Sequence, residues 1–188
     1  MKHTNTISSS SSTLLNGKKI LLVVTGSIAA IESPKLAREL MRHGADVFCV
    51  MSGSAQHIIH PWALQCITGK ETITEITGAC EHVEYCGSGD SVDLVLISPA
   101  TANTISKIAC GIFDDAVSTM VSTALGARIP IFIAPAMHDS IAKNPFYLEN
   151  LKKLKEVGVT VVEPKKEEGK SKLDWHVVSE TVLEHFKK

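Results

Sequence analysis

The chain has 188 residues, a net charge of −1, 44% hydrophobic residues and 5% aromatic residues. This charge balance provides no basic face for nucleic acid or for an anionic membrane, and the few aromatic residues argue against a base-stacking platform. No apolar run reaches the length of a membrane span. We therefore expect one domain with a sizeable core and with no nucleic-acid or membrane partner.

The N-terminal segment, residues 1–16, is poor in apolar residues and contains a serine run at positions 8–12. It lacks the apolar core of a signal peptide, so we do not expect export. We predict that residues 1–16 form a flexible arm, or one that docks on a neighbouring subunit. A single domain is predicted at residues 17–188.

The cysteines are dispersed along the chain and form no C-x-x-C pair, which does not suit a disulfide framework. Three of them lie in apolar or helical surroundings. We expect buried free thiols in a reducing cytoplasm, and hence a cytoplasmic protein. The five cysteines are Cys49, Cys66, Cys80, Cys86 and Cys110.

The first part of the domain predicts a strand–helix–strand unit. Residues 20–24 are a short, continuously apolar run, typical of a strand that is covered on both faces. Ser33 and Pro34 predict the N-cap and first position of a helix, which ends before Gly44. Residues 46–51 predict the second strand, and a Ser-Gly-Ser turn follows it.

The remaining elements continue the alternation of strands and helices. Residues 71–77 are left open as a short strand or an extended loop, and residues 79–91 read as a polar segment. We predict strands at residues 94–98, 129–134 and 159–162, and helices at residues 63–66, 106–110, 114–125, 146–157 and 177–186. In the fourth of these helices, apolar residues recur from Leu148 to Val157 at helical spacing. The pattern predicts an α/β fold, a parallel sheet with helices on both faces.

Small and polar residues follow four of the predicted strands: Gly26-Ser27, residues 52–54, residues 98–104 and residues 135–138. In a parallel sheet these carboxyl ends face one crevice, and hydroxyls with helix-start N–H groups suit an anion there. The chain has neither a G-x-G-x-x-G nor a G-K-[ST] motif, so a mononucleotide such as FMN suits it better. Alternatively, residues 25–30 are only a tight turn and Asn103 only caps a helix.

Two histidines are candidate acid–base groups. His82 precedes Glu84 in a polar segment that leads into the crevice, and His138 lies at a strand end. Imidazole groups exchange protons near neutral pH, which suits such a role. His57 and His60 have ligand spacing but no third ligand nearby, so we interpret them as surface or core residues and predict no metal site.

Together the motifs resemble the flavin-dependent cysteine decarboxylases. The motifs are Thr25-Gly-Ser-Ile-Ala-Ala30, His82-Val-Glu84, Pro99-Ala-Thr-Ala-Asn-Thr104 and Pro135-Ala-Met-His138. Within that group the chain is most similar to the phosphopantothenoylcysteine decarboxylase part of coenzyme A biosynthesis proteins, in its archaeal branch. The resemblance covers about residues 17–173.

The resemblance implies a three-layer Rossmann or flavodoxin-like fold that assembles into trimers or dodecamers, with FMN held between subunits. It implies a role in FMN binding for Gly26, Ser27, Ile28, Ser52, Thr101, Ala102, Asn103 and Thr104. His82 matches the catalytic histidine. Substrate binding is implied for Asn103, Ala136, Met137, His138 and Lys170.

The implied reaction converts 4′-phosphopantothenoylcysteine to 4′-phosphopantetheine with loss of CO2. Oxidation of the thiol side by FMN creates the electron sink that decarboxylation needs, and the protein orients substrate and moves protons. The chain departs from the family in two ways: His138 replaces an asparagine, and residues 163–173 lack the flap cysteine that protonates the product. Lys170 is a substitute acid, a phosphate contact or part of a solvated loop. A phosphopantothenoylcysteine synthetase would be a separate partner or a fused domain.

Two other functions remain open. A flavin prenyltransferase of related fold usually has a Thr-Gly-Ala-Ser-Gly first loop, which the Thr25-Gly-Ser-Ile-Ala sequence disfavours. A non-catalytic FMN-binding protein or electron carrier would not require His82.

Overall fold

A five-stranded parallel sheet forms the centre of the protein. The computed structural model describes residues 7–187 except 88, 90, 164, 168 and 169, and describes only the backbone of residues 165–167 and 170–172. The strands are β1 (Lys19–Val24), β2 (Asp46–Met51), β3 (Leu94–Ala100), β4 (Ile131–Pro135) and, after β5 (Met137–His138), β6 (Thr160–Val161). Their order in the sheet is β2-β1-β3-β4-β6, and all pairs are parallel.

Helices cover both faces of this sheet. They are α1 (Ser33–Arg42), α2 (Gly53–Gln56), α3 (Pro61–Thr68), α4 (Glu81–Cys86), α5 (Ala102–Ala109), α6 (Ala116–Gly126), α7 (Asp139–Ala142), α8 (Pro145–Glu156) and α9 (Trp175–Phe186), with a short 3₁₀ helix at Ile28–Glu32. In the described part of the chain, no helix is long and apolar enough to cross a membrane.

Alternate residues of β1 contribute to two separate cores. Ile20 and Leu22 of β1 pack with α1, α3 and α9, whereas Leu21 and Val23 pack with α4, α5, α6 and α8. Burial on both faces explains why β1 reads as a continuous apolar run. The predicted three-layer α/β fold is confirmed.

Several local predictions were wrong. The segment predicted as a polar stretch contains α4, and the helix predicted at 106–110 begins earlier, at Ala102. Of the apolar residues predicted at helical spacing, Leu154 is buried in α8, but Leu148 and Val157, which follows α8, are 51% and 60% exposed. Ser33 is not an N-cap: it lies inside α1, and its hydroxyl donates to the carbonyl of Ser98.

A second, small sheet was not predicted. It joins β5 to a hairpin of β7 (Lys165–Glu167) and β8 (Lys170–Lys172) by antiparallel pairing. The charged composition of residues 164–172 predicted a loop. These residues form strands because β8 pairs with both β5 and β7, and a pattern of charged residues does not indicate such pairing.

The described part of the predicted arm, residues 7–16, packs on the C-terminal end of α1. The N–H groups of Ser9 and Ser11 donate to carbonyls at Met41 and Arg42, and Leu15 is completely buried. The last carbonyls of α1 thus accept hydrogen bonds from the serine-rich segment, and this segment contributes Leu15 to the core.

All five cysteines are free. Burial raises the pKa of the Cys49 and Cys86 thiols to about 12, which keeps both protonated. Three cysteines were expected in apolar or helical surroundings, but only these two are buried, and Cys66, Cys80 and Cys110 are exposed.

Asp115 provides a test of how α6 is held. Its carboxylate accepts hydrogen bonds from the N–H (2.7 Å) and hydroxyl (2.9 Å) of Ser118 and pairs with Lys107. We predict that Asp115→Ala lowers the free energy of unfolding by about 1–2 kcal/mol in urea titrations at neutral pH, since it removes an N-cap. Asp114→Ala, which removes only an exposed partner of Lys107, should cost less than about 0.5 kcal/mol.

The contribution of Asp115 should depend on pH. Burial raises the pKa of its carboxyl, but the bonds from Ser118 and Lys107 outweigh burial and lower it overall. The stabilisation is therefore present above the pKa of an unfolded aspartate, about 3.9, and lost as pH falls through the lower folded pKa. A stability difference between the two variants that is the same at pH 7 and pH 2.5 would contradict this assignment.

Candidate functional site

Three adjacent strands, β2, β1 and β3, end in turns that begin with a hydroxyl residue. The hydroxyl of Ser27 accepts from the N–H of Ala29 (3.4 Å), and that of Ser52 accepts from the N–H of Ala55 (3.2 Å). Thr101 caps α5 by accepting from the N–H of Thr104 (3.3 Å). Because the strands are parallel neighbours, these turns lie at one edge of the sheet.

Hydrogen bonds fix the three strand ends relative to one another. The N–H of Ser52 donates to the carbonyl of Val24 (3.0 Å), which joins β2 to β1. The buried hydroxyl of Thr25 donates to the carbonyl of Pro99 (2.8 Å) and accepts from the N–H of Thr101 (2.9 Å). The bond from Thr25 to the carbonyl of Pro99 lies next to the cis peptide between Ser98 and Pro99.

The residues predicted to bind a cofactor lie at these three ends: Gly26, Ser27 and Ile28 after β1, Ser52 after β2, and Thr101, Ala102, Asn103 and Thr104 after β3. Asn103 is exposed, and its side chain makes no hydrogen bond to a described residue. The alternative that Asn103 caps α5 is wrong, because Thr101 has that role.

The chemistry of this edge fits a flavin mononucleotide. The first N–H groups of α5 have no partner within the helix, and the helix dipole favours an anion at that point. Ile28 is 75% exposed beside the β1 turn and offers an apolar contact for a ring. The hydroxyl of Ser98 is buried without a hydrogen-bond partner among the described residues, so the edge also contains an unused polar group.

Gly26 is required by the packing of the turns themselves. A Cβ atom at this position would lie 2.4 Å from Cβ of Ser54, closer than real Cβ contacts. The turn after β2 therefore approaches the turn after β1 closely because residue 26 has no side chain.

His82 lies in the first turn of α4, which packs against α6. Its Nδ1 atom is buried without a hydrogen-bond partner among the described residues. The neighbouring Glu81 carboxylate accepts from the hydroxyl (2.5 Å) and N–H (2.8 Å) of Thr77, which lowers the pKa of Glu81. His82 thus has no hydrogen bond to the three strand ends within the described part of the chain.

The predicted substrate segment follows β4 and adjoins the β3 end, since the N–H of Ala136 donates to the carbonyl of Ala100 (3.1 Å). Met137 pairs with Ser171, and His138 pairs with Lys170, in the small sheet. The backbone of Lys170 is therefore beside His138, and its side chain lies outside the described part. Nδ1 of His138 accepts from the N–H of Ser140 (3.2 Å).

A cavity of about 230 Å³ opens beside this segment, with Pro135, Met137, Leu151 and Tyr147 in its wall. Burial raises the pKa of Tyr147 to about 12, so its hydroxyl stays protonated at physiological pH. The cavity is distinct from the edge formed by the turns after β1, β2 and β3.

The two histidines with ligand spacing, His57 and His60, lie before and at the start of α3. Nδ1 of His60 accepts from the N–H of Trp62 (3.2 Å) at the start of α3, and His57 is exposed. In the described ranges, no group of three His, Cys, Asp or Glu residues could hold a metal ion.

Two residues of the site were missed from the sequence: Thr25 and Ser33. Both are buried and both donate to carbonyls of the β3 end. A hydroxyl directly after a buried strand was the available signal for Thr25. The sequence signal at Ser33 was misleading, because a Ser-Pro pair is a common start of a helix.

The strand order and the turns define a flavodoxin-like fold, whose switch point, the place where ligands bind in such sheets, lies between β1 and β3. The model of the family described as Flavoprotein matches residues 8–187. The chain belongs to this flavoprotein family.

Curated relatives include the coenzyme A biosynthesis bifunctional protein CoaBC of Thermococcus kodakarensis, 55% identical over 174 residues, which are 92% of this chain and 43% of that protein. The chain thus spans less than half of this relative's length. The probable phosphopantothenoylcysteine decarboxylase of Streptococcus mutans is 34% identical over 150 residues, which are 79% of this chain and 83% of that protein.

Solved structures agree in fold. The FMN-dependent cysteine decarboxylase SpaF has a TM-score of 0.79 and 29% identity, over 93% of this chain and 99% of SpaF. A PPC decarboxylase mutant complexed with pantothenoylaminoethenethiol has a TM-score of 0.73 and 27% identity, over 91% of this chain and 99% of that one. The resemblance seen in the sequence motifs is confirmed.

Gly26→Ala should disrupt the turns after β1 and β2. We predict a lower melting temperature and at least about tenfold weaker flavin binding, because the added Cβ must displace the backbone near Ser54. Gly126→Ala is the matched control, since its Cβ would meet nothing within 4 Å and it lies at the end of α6 rather than in these turns. Equal flavin affinities of the two variants, measured by quenching of flavin fluorescence, would contradict the predicted role of Gly26.

Proposed function

We propose that this protein is an FMN-dependent decarboxylase that converts 4′-phosphopantothenoylcysteine to 4′-phosphopantetheine for coenzyme A synthesis. One observation carries the proposal: three hydroxyl-capped strand ends lie next to the Pro135–His138 segment in a chain of the flavoprotein family. The names of the coenzyme A biosynthesis relatives and of the PPC decarboxylase support the substrate.

FMN would be held by the turns after β1, β2 and β3. The N–H groups of Ala102 and Asn103 at the start of α5, with the hydroxyls of Ser27 and Ser52, would bind its phosphate, because each capping hydroxyl keeps an O–H to donate. Ile28 would contact the ring. When bound, the flavin supplies reversible electron transfer that side chains do not provide.

His82 would serve as the base or hydrogen-bonding group for the substrate thiol. Its buried Nδ1, which has no hydrogen-bond partner among the described residues, can accept or donate a hydrogen bond there. The resemblance implies that FMN is held between subunits, and the lack of a hydrogen bond from His82 to the strand ends within the described part of its own chain suits such an arrangement.

His138 would bind the substrate carboxylate in place of the family's asparagine. Because Nδ1 accepts from the N–H of Ser140, the neutral ring carries its proton on Nε2, where it can donate as an amide does. Ala136, Met137 and Asn103 would line the same substrate site. Lys170, whose backbone pairs with His138, would contact the phosphate or act as the acid that replaces the missing flap cysteine.

We further propose a cytoplasmic homo-oligomer, a trimer or dodecamer. Ile28, Trp62 and Phe146 are 75%, 73% and 74% exposed, and exposed apolar residues of this size suit subunit contacts. Free cysteines suit a reducing compartment. A phosphopantothenoylcysteine synthetase, fused or separate, would supply the substrate, as the word bifunctional in the name of the Thermococcus relative supports.

The test is CO2 release from phosphopantothenoylcysteine by the FMN-loaded protein. We predict that His82→Asn lowers the rate at least about 100-fold, the usual contribution of an acid–base group, while FMN stays bound. His57→Asn, at an exposed position, should leave the rate unchanged, and His138→Asn should stay within about tenfold, because it keeps a donor.

Absence of CO2 release by the unmodified, FMN-loaded protein would overturn the proposal. Bound FMN without turnover would then favour an electron carrier, and prenylation of FMN would favour a flavin prenyltransferase. The mass of the product reports whether the reductive step occurs.

A further inference from the structure

We propose that Thr25 and Ser33 are positioning residues of the flavin site. Their buried hydroxyls fix the end of β3, and through it the start of α5, against the end of β1. The inference rests on the proposed function, because it concerns the same site.

The backbone pairing of β3 with β1 and β4 is interrupted at the residues that these hydroxyls contact. Pairing of β1 with β3 ends at Val23 and Ile97, and pairing of β3 with β4 shifts register between Ile97 and Ala100. The carbonyls of Ser98 and Pro99 lie inside this interval. Buried carbonyls need partners, and the residues after β1 and at the start of α1 supply the donors that the strands no longer supply.

Thr25 supplies one of these donors and also an acceptor. Its hydroxyl donates to the carbonyl of Pro99 (2.8 Å) and accepts from the N–H of Thr101 (2.9 Å), while its own N–H reaches the same carbonyl (3.3 Å). An apolar side chain of the same shape offers neither bond. One residue thus joins the β1 end to both sides of the loop that enters α5.

Thr25 acts through Thr101, because Thr25 has no exposed surface with which to contact a ligand. Thr101 caps α5, and its hydroxyl lies 3.1 Å from the hydroxyl of Thr104. Holding the N–H of Thr101 therefore sets the direction of the first turn of α5, whose free N–H groups would face the flavin phosphate.

Ser33 supplies the second donor from the first turn of α1. Its hydroxyl donates to the carbonyl of Ser98 (3.2 Å), and its residue is 1% exposed. The two neighbouring carbonyls of β3 are thus held by the hydroxyls of Thr25 and Ser33.

The test compares Thr25→Val with Thr25→Ser in FMN titrations of the apoprotein, followed by flavin fluorescence and by the visible spectrum of the complex. We predict that Thr25→Val raises the Kd at least about tenfold and shifts the bound-flavin spectrum, the effect of losing buried hydrogen bonds at the site. Thr25→Ser keeps both bonds and should stay within about threefold.

Thr68→Val is the matched control. The buried hydroxyl of Thr68 also donates to a carbonyl, that of Leu64 (3.1 Å), and accepts from an N–H, that of Lys70 (3.2 Å), but at the end of α3. It should lower the melting temperature without changing the Kd for FMN or the spectrum. A merely structural role of Thr25 would make the two valine variants alike.

A Thr25→Val protein with the Kd and spectrum of the unmodified protein overturns the inference. Should Thr25→Val not fold, Ser33→Ala decides: a raised Kd of about threefold or more supports the inference, and unchanged binding overturns it. If the unmodified protein does not bind FMN, the proposed function fails together with this inference. If it binds FMN and Thr25→Val binds it equally well, only this inference fails.

Discussion

Backbone groups at the end of a parallel ladder lose their strand partners, and the way in which this chain satisfies them shapes the whole candidate site. β2, β1 and β3 end side by side, and each end passes into a helical turn whose first N–H groups are capped by a hydroxyl. Thr25 and Ser33 satisfy the carbonyls left between β3 and its neighbours. The same hydrogen bonds that end the sheet therefore bring the turns together.

The site combines this fixed edge with two less constrained parts. The turns present N–H groups, hydroxyls and the exposed Ile28, which together suit the phosphate and ring of a flavin. His82 lies on α4, and its Nδ1 has no hydrogen-bond partner within the described part of the chain. His138 is at the junction with the small sheet formed by β5, β7 and β8. We infer that cofactor binding depends on the sheet, whereas substrate contacts depend on segments outside it.

The sequence predicted the sheet well because its strands are buried on both faces and read as apolar runs. It also located the four strand ends, since small and hydroxyl residues directly follow those runs. The hydrogen bonds of Thr25 and Ser33 escaped prediction because their partners are carbonyls more than 60 residues away. The short α4 and the small sheet escaped because polar composition alone does not distinguish a loop from a short element held by its neighbours.

The most direct test of the central claim is amide hydrogen exchange with and without FMN. Binding at the β1–β3 switch point should slow exchange of amides in residues 26–28, 53–55 and 101–104. Exchange should not change at the opposite ends of the strands, where Arg128, Phe132 and Thr160 line a crevice of about 470 Å³. Protection of that crevice, with none at the turns after β1, β2 and β3, would contradict the account.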